Sequence, residues 1–402
     1  MNILLIHNNY GIYSGEEAVV DRQIVLFQQM GHQVAVYRKT TEGLRDTVWG
    51  NFKGLLQGFY SLQSVKDIKQ IMKTNKPDAV VVHNLYPYIS PAILKHIKAA
   101  GVPIIMTVHN FRLMCPTGLF MRNSQPCELC LGSHEWNCIK HNCENSCLKS
   151  LGYAGRNWYA RVTKAYINNV DVFACLNQFQ IQKLIQAGFD ENKMKIIPNF
   201  LEKIEEPIYS LGDYVAISGR LSKEKGIDLA LQVASKTPHI KYVFAGSPRK
   251  EELITVPIPD NCVFLGHISH VELTDFYQNA RFLLNTSRCY EGFPMTILEA
   301  ASYGKPSIAP GHAGFLEIID NNLTGLHFTP GNAIDLQQQI EKLWNASDTC
   351  VEMGKQAFKK LKEKYTSNVV KEYWRQTFKL YIRPCPPYAL TNSQTNPPLL
   401  RI

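Results

Sequence analysis

At 402 residues, 45% apolar and 19% charged, the chain has the composition of a globular protein of about two domains, with enough apolar side chains for substantial cores. This excludes a largely disordered chain, and no apolar run reaches the roughly 18 residues that a spanning helix needs, so a cytoplasmic location is expected. The net charge of +9 is dispersed, without a polybasic block, and suits polyphosphate ligands or an anionic membrane surface as well as nucleic acid.

In chain order, residues 2–7 read as a buried first strand, their apolar run being too short for a signal segment. Residues 16–30 carry helical periodicity, while 33–37, 79–82 and 104–108 are short β-branched runs separated by helical stretches such as 91–100. That alternation predicts a parallel sheet with helices on both faces, and ligands of such sheets bind at the carboxyl ends of the strands. Those ends carry His7-Asn8-Asn9, His83-Asn84 and His109-Asn110, which favours a binding cleft. The loop after the first strand, NNYGIYSGEE, lacks the Gly-x-Gly-x-x-Gly turn of a dinucleotide site, and no Walker loop occurs. Gly11, Ser14 and Gly15 before a helix could present backbone N–H groups to an anion, although ordinary turn chemistry accounts for them too.

The stretch 49–73 mixes Trp49, Phe52, Leu55, Leu56, Phe59 and Tyr60 with Lys53, Lys66, Lys69 and Lys73. It reads either as a helix packed on the first sheet or as a patch that meets a membrane surface. Between Phe111 and Cys147 lie six of the eleven cysteines. Cys127-x-x-Cys130 flanked by Cys115 and Cys143 has a spacing suited to structural zinc, while disulfides are disfavoured in a reducing cytoplasm. Unligated thiols in an insertion are the alternative.

After a break near 198–212 the pattern repeats, with strands at 214–218, 241–245, 262–265, 282–284 and 306–308 and helices at 226–235, 271–278 and 294–303. The first of these strands leads into GRLSKEKG at 219–226, where Arg220 can clamp phosphate oxygens in a fork, Lys225 supplies a point charge and Gly226 opens a helix toward the same anion. In RCYEGFPMTILEAASYG at 288–304, Gly292-Phe293-Pro294 reads as a helix start, with Glu291 before it and Glu299 about one and a half turns inside. Alone, that pair could be two solvated acids or the two carboxylates of a glycoside hydrolase. Residues 355–381 read as one long helix, ended by Cys385-Pro386-Pro387 and a polar tail expected to be disordered.

These motifs resemble glycosyltransferase family 4. GRLSKEKG at 219–226 and EGFPMTILE at 291–299 carry most of the likeness, with Phe244-Ala245-Gly246, Phe264-Leu265-Gly266, AGFLEII at 313–319 and Gly325-Leu326. In the first half, SGEEAVV at 14–20, His83-Asn84 and His109-Asn110 are similar to the family's acceptor-side loops, and Leu176-Asn177 and Ile197-Pro198-Asn199 to its passage into the second domain. The resemblance spans about residues 1–381. It implies an α/β, GT-B fold: two Rossmann-like parallel-sheet domains facing a cleft, with a C-terminal helix crossing back to the first. The expected boundaries are 1–197 for an acceptor-binding domain with a Cys-rich insertion at about 111–150, 198–363 for a nucleotide-sugar-binding domain, 364–382 for the crossover helix and 383–402 for a flexible tail. Two positions depart from the family pattern: the first-loop double glycine is Ser14-Gly15, and the Gly-Gly near the donor sugar is Ala313-Gly314.

The resemblance further implies a retaining hexosyl- or glycosyltransferase, acting in cell-surface polysaccharide or lipopolysaccharide biosynthesis on a UDP-, GDP- or ADP-sugar and a saccharide or lipid-linked acceptor. Arg220 and Lys225 would hold the diphosphate, helped by backbone N–H groups near Gly15 and at Gly292, Phe293 and Pro294. Glu299 would take the ribose hydroxyls, Glu291 would attend the sugar, and His109 would reach it from the opposite domain. Ser14, Glu16, His83, Asn84 and Asn110 would line the acceptor side. No Asp-x-Asp pair occurs, so transfer without a metal or other cofactor is expected, with zinc confined to the cysteine segment. A cytoplasmic protein, peripheral at the inner membrane face and without a nucleic-acid partner, fits this reading. A sugar-nucleotide epimerase on the same fold and a zinc-ribbon nucleic-acid-binding protein are the other classes considered; the latter leaves 219–226 and 291–299 unexplained.

Overall fold

The computed structural model describes residues 1–10, 14–41, 54, 56–247 and 257–381. The first half contains β1 (Asn2–Asn9), β2 (Gln33–Thr40), β3 (Ala79–Val82), β4 (Ile104–Val108), a short hairpin of β5 (Met121–Arg122) and β6 (Gln125–Pro126), then β7 (Val172–Cys175) and β8 (Met194–Ile196). Apart from the hairpin these form one parallel sheet in the order β2-β1-β3-β4-β7-β8. The sequences AVVV and IIMTV make β3 and β4 buried at every position, as central parallel strands covered on both faces must be. One face is covered by Val65, Ile68 and Met72 of the helix Leu62–Thr74 and by Leu94 and Ile97 of the helix Leu94–Ala99. The other receives Leu26 and Phe27 of the helix Gly15–Gln29, together with Trp374 and Phe378 from the far end of the chain.

The second half repeats the arrangement with β9 (Tyr214–Ser218), β10 (Lys241–Ala245), β11 (Cys262–Gly266), β12 (Ala280–Leu284), β13 (Ser307–Pro310) and β14 (Gly325–Phe328). The order is β11-β10-β9-β12-β13-β14, again parallel throughout. Two buried clusters, one around Phe276, Leu298, Phe315 and Phe358 and one around Leu229, Tyr242, Phe244 and Leu336, cover its faces. The fold is therefore α/β with two Rossmann-like sheets, as expected.

Three details differ from the sequence reading. The strands β7, β8 and β14 were not anticipated, since runs of three or four residues carry little periodicity. The long helix expected at 355–381 is two helices, Ser347–Lys364 and Ser367–Tyr381. They part at Tyr365 and Thr366, where the chain crosses back to the first sheet beside its outgoing crossing: Leu201 N donates to Tyr365 O at 3.0 Å and Ser367 N to Leu201 O at 3.2 Å. The final helix then lays Trp374 against Phe27, ring centroids 4.9 Å apart. Thirdly, within the amphipathic stretch 49–73 the described helix Leu62–Thr74 packs on the sheet, while Trp49, Phe52, Lys53 and Leu55 lie outside the described residues, as do Gly11 and the tail from 382 onward.

Candidate active site

In each sheet the strand order reverses at one point, and a crevice opens there between the loops that leave the carboxyl ends of the flanking strands. In the second sheet that point lies between β9 and β12. The β9 loop carries Arg220 and Lys225, the β12 loop carries Ser287 and Glu291, and the two loops are locked together. Thr286 Oγ1 donates to Lys225 O and to Gly226 O, both at 2.9 Å, and Gly226 has φ 69° against the Thr286 carbonyl. Lys225 Nζ forms an ion pair with Glu291 Oε1, which also accepts from Ser287 Oγ. Burial alone would raise the Glu291 pKa; Lys225, Ser287 and Arg220 outweigh it and hold the carboxyl below its usual range. Burial likewise opposes the Lys225 charge, and Glu291 overcomes it. Arg220, 43% exposed at its side chain, lies 3.3 Å from buried Glu224.

Beyond the β12 loop, Pro294 is the N-cap of the helix Met295–Ser302, one position earlier than expected, with an extended ψ of 100°. Phe293 directs its ring at Tyr365, 5.4 Å between centroids. Glu299 Oε2 accepts from Tyr277 Oη at 3.1 Å, and Tyr277 in turn bonds Ser218 Oγ at 2.8 Å at the end of β9. Glu299 is thus tied to the same crevice as Lys225 through Tyr277, a residue the sequence offers only as an apolar helix position.

The first sheet contributes the facing wall. His83 Nδ1 and His109 Nε2 are 2.6 Å apart with nearly parallel rings, and His7 sits edge-on to His83 at 6.0 Å between centroids. Desolvation lowers all three pKa values, to about 4 for His7 and His109 and well below 6.5 for His83, so each is neutral at pH 7. In the unfolded chain these rings would take protons as pH falls below 6.5, whereas the folded chain resists until about 4. Thermal melting is therefore expected to lose midpoint progressively over that interval; an unchanged midpoint across it would contradict the buried neutral trio.

The other acceptor-side residues come together, with one addition. Ser14 is the N-cap of the helix Gly15–Gln29 and shares a capping box with Glu17, so its hydroxyl is engaged in holding the loop. A Cβ on Gly15 would meet nothing within 4 Å. Glu16 Oε2 accepts from Tyr10 Oη at 3.1 Å and Asn110 Nδ2 at 3.4 Å, and burial raises its pKa against the pull of His7 and Arg112. Asn84 donates to the Asn8 and Tyr86 carbonyls at 3.0 and 2.9 Å, clamping the β1 and β3 loops to each other. Arg112, which sequence reasoning missed, reaches Tyr10 Oη at 3.2 Å and Asn84 Oδ1 at 3.3 Å and keeps its charge because Tyr10 and Glu16 offset its burial.

The two walls meet. Asn177 Nδ2, just after β7, donates to Gly292 O, and Gln178 N donates to Glu317 Oε2 at 2.8 Å. A Cβ on Gly292 would lie 2.7 Å from Gln180 Nε2 and 3.0 Å from His109 O, so only glycine allows the Glu291 loop to come this close to His109. A Cβ on Gly314 would be equally confined, 2.6 Å from Gly292 O, while Ala313 before it adopts a left-handed φ of 51°. Tyr290 lodges among Phe111, Phe120, Phe179 and His312.

Residues 13–203 match the family described as Glycosyltransferase Family 4, and residues 201–360 match that described as Glycosyl transferases group 1, so that the two together run from 13 to 360. The chain belongs to the family 4 glycosyltransferases. It is 26% identical over 221 residues to an uncharacterized 41.2 kDa protein in the cps region of Klebsiella pneumoniae, covering 50% of this chain and 61% of that one. With the alpha-galactosylglucosyldiacylglycerol synthase of Streptococcus pneumoniae the identity is 29% over 171 residues, 36% of this chain and 45% of the synthase. The matches thus span about half the length of these relatives. Among solved structures, sucrose-phosphate synthase from Thermosynechococcus elongatus aligns with a TM-score of 0.72 at 14% identity, covering 94% of this chain and 98% of the synthase. HepE of Anabaena in complex with UDP gives 0.66 at 15%, with 94% and 100% covered; both likenesses speak for the GT-B fold.

In the cysteine segment two of the four residues singled out by their spacing, Cys130 and Cys143, lie in one small cluster with Cys138 and Ala154. Cys115, Cys127, Cys130 and Cys143 are free thiols, and among the described residues no group of three or more His, Cys, Asp or Glu side chains converges as a metal site. Cys115 Sγ is 3.3 Å from Thr117 Oγ1. Cys143 pairs with Cys138, whose thiol hydrogen bond lowers the Cys143 pKa to about 7. No helix among the described residues is long and apolar enough to cross a membrane.

Proposed function

We propose that the protein is a retaining, metal-independent glycosyltransferase that moves a sugar from a nucleoside-diphosphate sugar to a saccharide or lipid-linked acceptor, in cell-surface polysaccharide or glycolipid synthesis at the inner face of the membrane. The observation that carries this is the Lys225–Glu291 ion pair at the switch point between β9 and β12, with His109 opposite it across the contact at Gly292. A diphosphate leaving group needs cations that are already in place, and Lys225 and Arg220 supply them; backbone N–H groups at Gly15 and around Gly292 and Phe293 add neutral donors. Glu299, oriented by Tyr277, takes the ribose hydroxyls. Glu291 holds Lys225 and attends the donor sugar. His109, neutral at pH 7, exchanges hydrogen bonds with a sugar hydroxyl without adding charge.

In the proposed transfer, the bond from the anomeric carbon to the phosphate oxygen breaks and a bond from the acceptor oxygen forms on the same face. The acceptor's proton passes to the departing diphosphate, so no protein base is required. Ser14, Glu16, Asn110, His83 and Arg112 place the acceptor, and Asn84 fixes the loops that carry them.

The complex of HepE with UDP and a diacylglycerol product in the name of one relative support trying UDP-sugars and lipid acceptors first. The test is a panel of UDP-, GDP- and ADP-sugars screened by calorimetry and by slow hydrolysis, followed by lipid-linked saccharides. One donor class is expected to bind, and turnover is expected to survive EDTA. Activity abolished by EDTA and restored by magnesium or manganese would defeat metal independence. Isomerisation of the donor sugar with no acceptor present, as distinct from its slow hydrolysis, would replace transfer by epimerisation.

A further inference from the structure

The helix Cys147–Val162 buries one face and shows solvent an apolar stripe on the other. Ser150, Ala154, Asn157 and Ala160 are buried toward the domain. Leu148, Leu151, Trp158 and Val162 are 66%, 54%, 52% and 54% exposed, and their spacing of three, seven and four residues puts them on a single line along the helix. Exposed apolar residues scattered singly need no explanation, but a line of four along one helix does. Trp136 on the adjoining helix Trp136–Lys140 is another 53% exposed.

The surroundings are basic. Lys140, Lys149 and Lys164 are exposed along the segment; of its acids, Glu135 is buried and already neutralised by Arg161 at 2.6 Å, and Glu144 is half-buried. Leucines and tryptophans above a rim of lysines are the chemistry of a bilayer surface with anionic headgroups: the apolar side chains enter the acyl boundary and the lysines stay with the phosphates. The face is one side of a helix, not a groove shaped for a peptide.

The helix is also fastened to the acceptor side. The Arg156 guanidinium stacks 4.0 Å from the Tyr86 ring centroid, in the loop after His83-Asn84, and Asn157 Nδ2 donates to Arg112 O at 2.7 Å. Phe59 rests against this helix, 3.1 Å from where a Cβ of Gly155 would be, and Leu56 beside it is 55% exposed. We propose that this face docks on an anionic lipid bilayer and so presents the His83 and Arg112 loops to an acceptor embedded in it. What is delivered there rests on the glycosyltransferase reading; the docking itself does not.

The full chain is to be sedimented with phosphatidylcholine vesicles and with vesicles of equal parts phosphatidylcholine and phosphatidylglycerol, while UDP binding is followed by calorimetry on the same preparation. Pelleting is expected with the anionic vesicles only, weakening severalfold between about 0.1 M and about 1 M salt. The double variant Leu151→Glu, Trp158→Glu should partition at least about tenfold less, with an unchanged melting midpoint and unchanged UDP binding. Val271→Glu, at a 77% exposed apolar site elsewhere, should behave as wild type. A folded, UDP-binding chain that never pellets, or a double variant that pellets like wild type, overturns the proposal. So does a dimer that forms without vesicles and is abolished by the double variant, which would assign the face to a second copy. Pelleting without binding of UDP, GDP or ADP would support docking and tell against the glycosyltransferase reading alone.

Discussion

Lys225→Ala is expected to lower kcat/KM by about 10²- to 10³-fold, the range found when one preorganised group is removed from developing negative charge. Lys225 is the cation that the β9 loop aims into the crevice, and Glu291 already holds it there, so little reorganisation is needed when a diphosphate arrives. Its loss would also leave Glu291, whose side chain is 13% exposed, without its main counter-charge, and burial would then push the carboxyl pKa up. The sign for pH follows. Glu291 is held below its ordinary 4.5, so its contribution is present above 4.5 and lost only as pH falls through the lower folded value. Lys225 is held above 10.5, so its contribution is present below 10.5 and lost as pH rises through the higher folded value. Wild type should keep the pair intact across that span, while the acid limb of the Lys225→Ala profile should move to higher pH. Initial rates against donor concentration separate the two acids as well. Glu299→Ala should chiefly raise the donor KM, and Glu291→Ala should chiefly lower kcat. Equal, purely kinetic losses in both would return the pair to the roles of hydrolytic acid and nucleophile.

Gly226→Ala should destabilise the chain by about 3 kcal/mol or more, read as a drop in the urea midpoint. The left-handed φ of 69° costs a Cβ-bearing residue about 1–2 kcal/mol. A methyl 2.1 Å from Thr286 O must also push the β9 and β12 loops apart, at about 1–3 kcal/mol for overpacking. Gly15→Ala is the matched control: with nothing within 4 Å of its Cβ, stability should change by no more than about 0.5 kcal/mol. Similar midpoints for the two variants would show that the loop lock at Thr286 carries no strain.

The alternation of apolar runs made both sheets readable, because strands such as AVVV and YVAIS are apolar and β-branched runs buried over most of their length. The Arg220 and Lys225 loop was equally legible, since its place after a strand and before a helix is set by local sequence. Pairings across loops were not. Nothing local joins Lys225 to Glu291, 66 residues on, or Tyr277 to Glu299, and the neutral state of His109 depends on burial that only the assembled domain creates. In the cysteine segment the neighbour that Cys143 takes, Cys138, lies outside the four residues that the spacing singles out.

The side-by-side crossings at Leu201 and at Tyr365 to Ser367 have a mechanical consequence. A lone connecting strand would act as a swivel, leaving the two halves free to rotate about it. Two strands bonded to each other at 3.0 and 3.2 Å resist torsion, because twisting would shear those bonds, and they yield to bending. Torsion between the halves, which would carry His109 away from Gly292, is therefore the movement these paired crossings oppose.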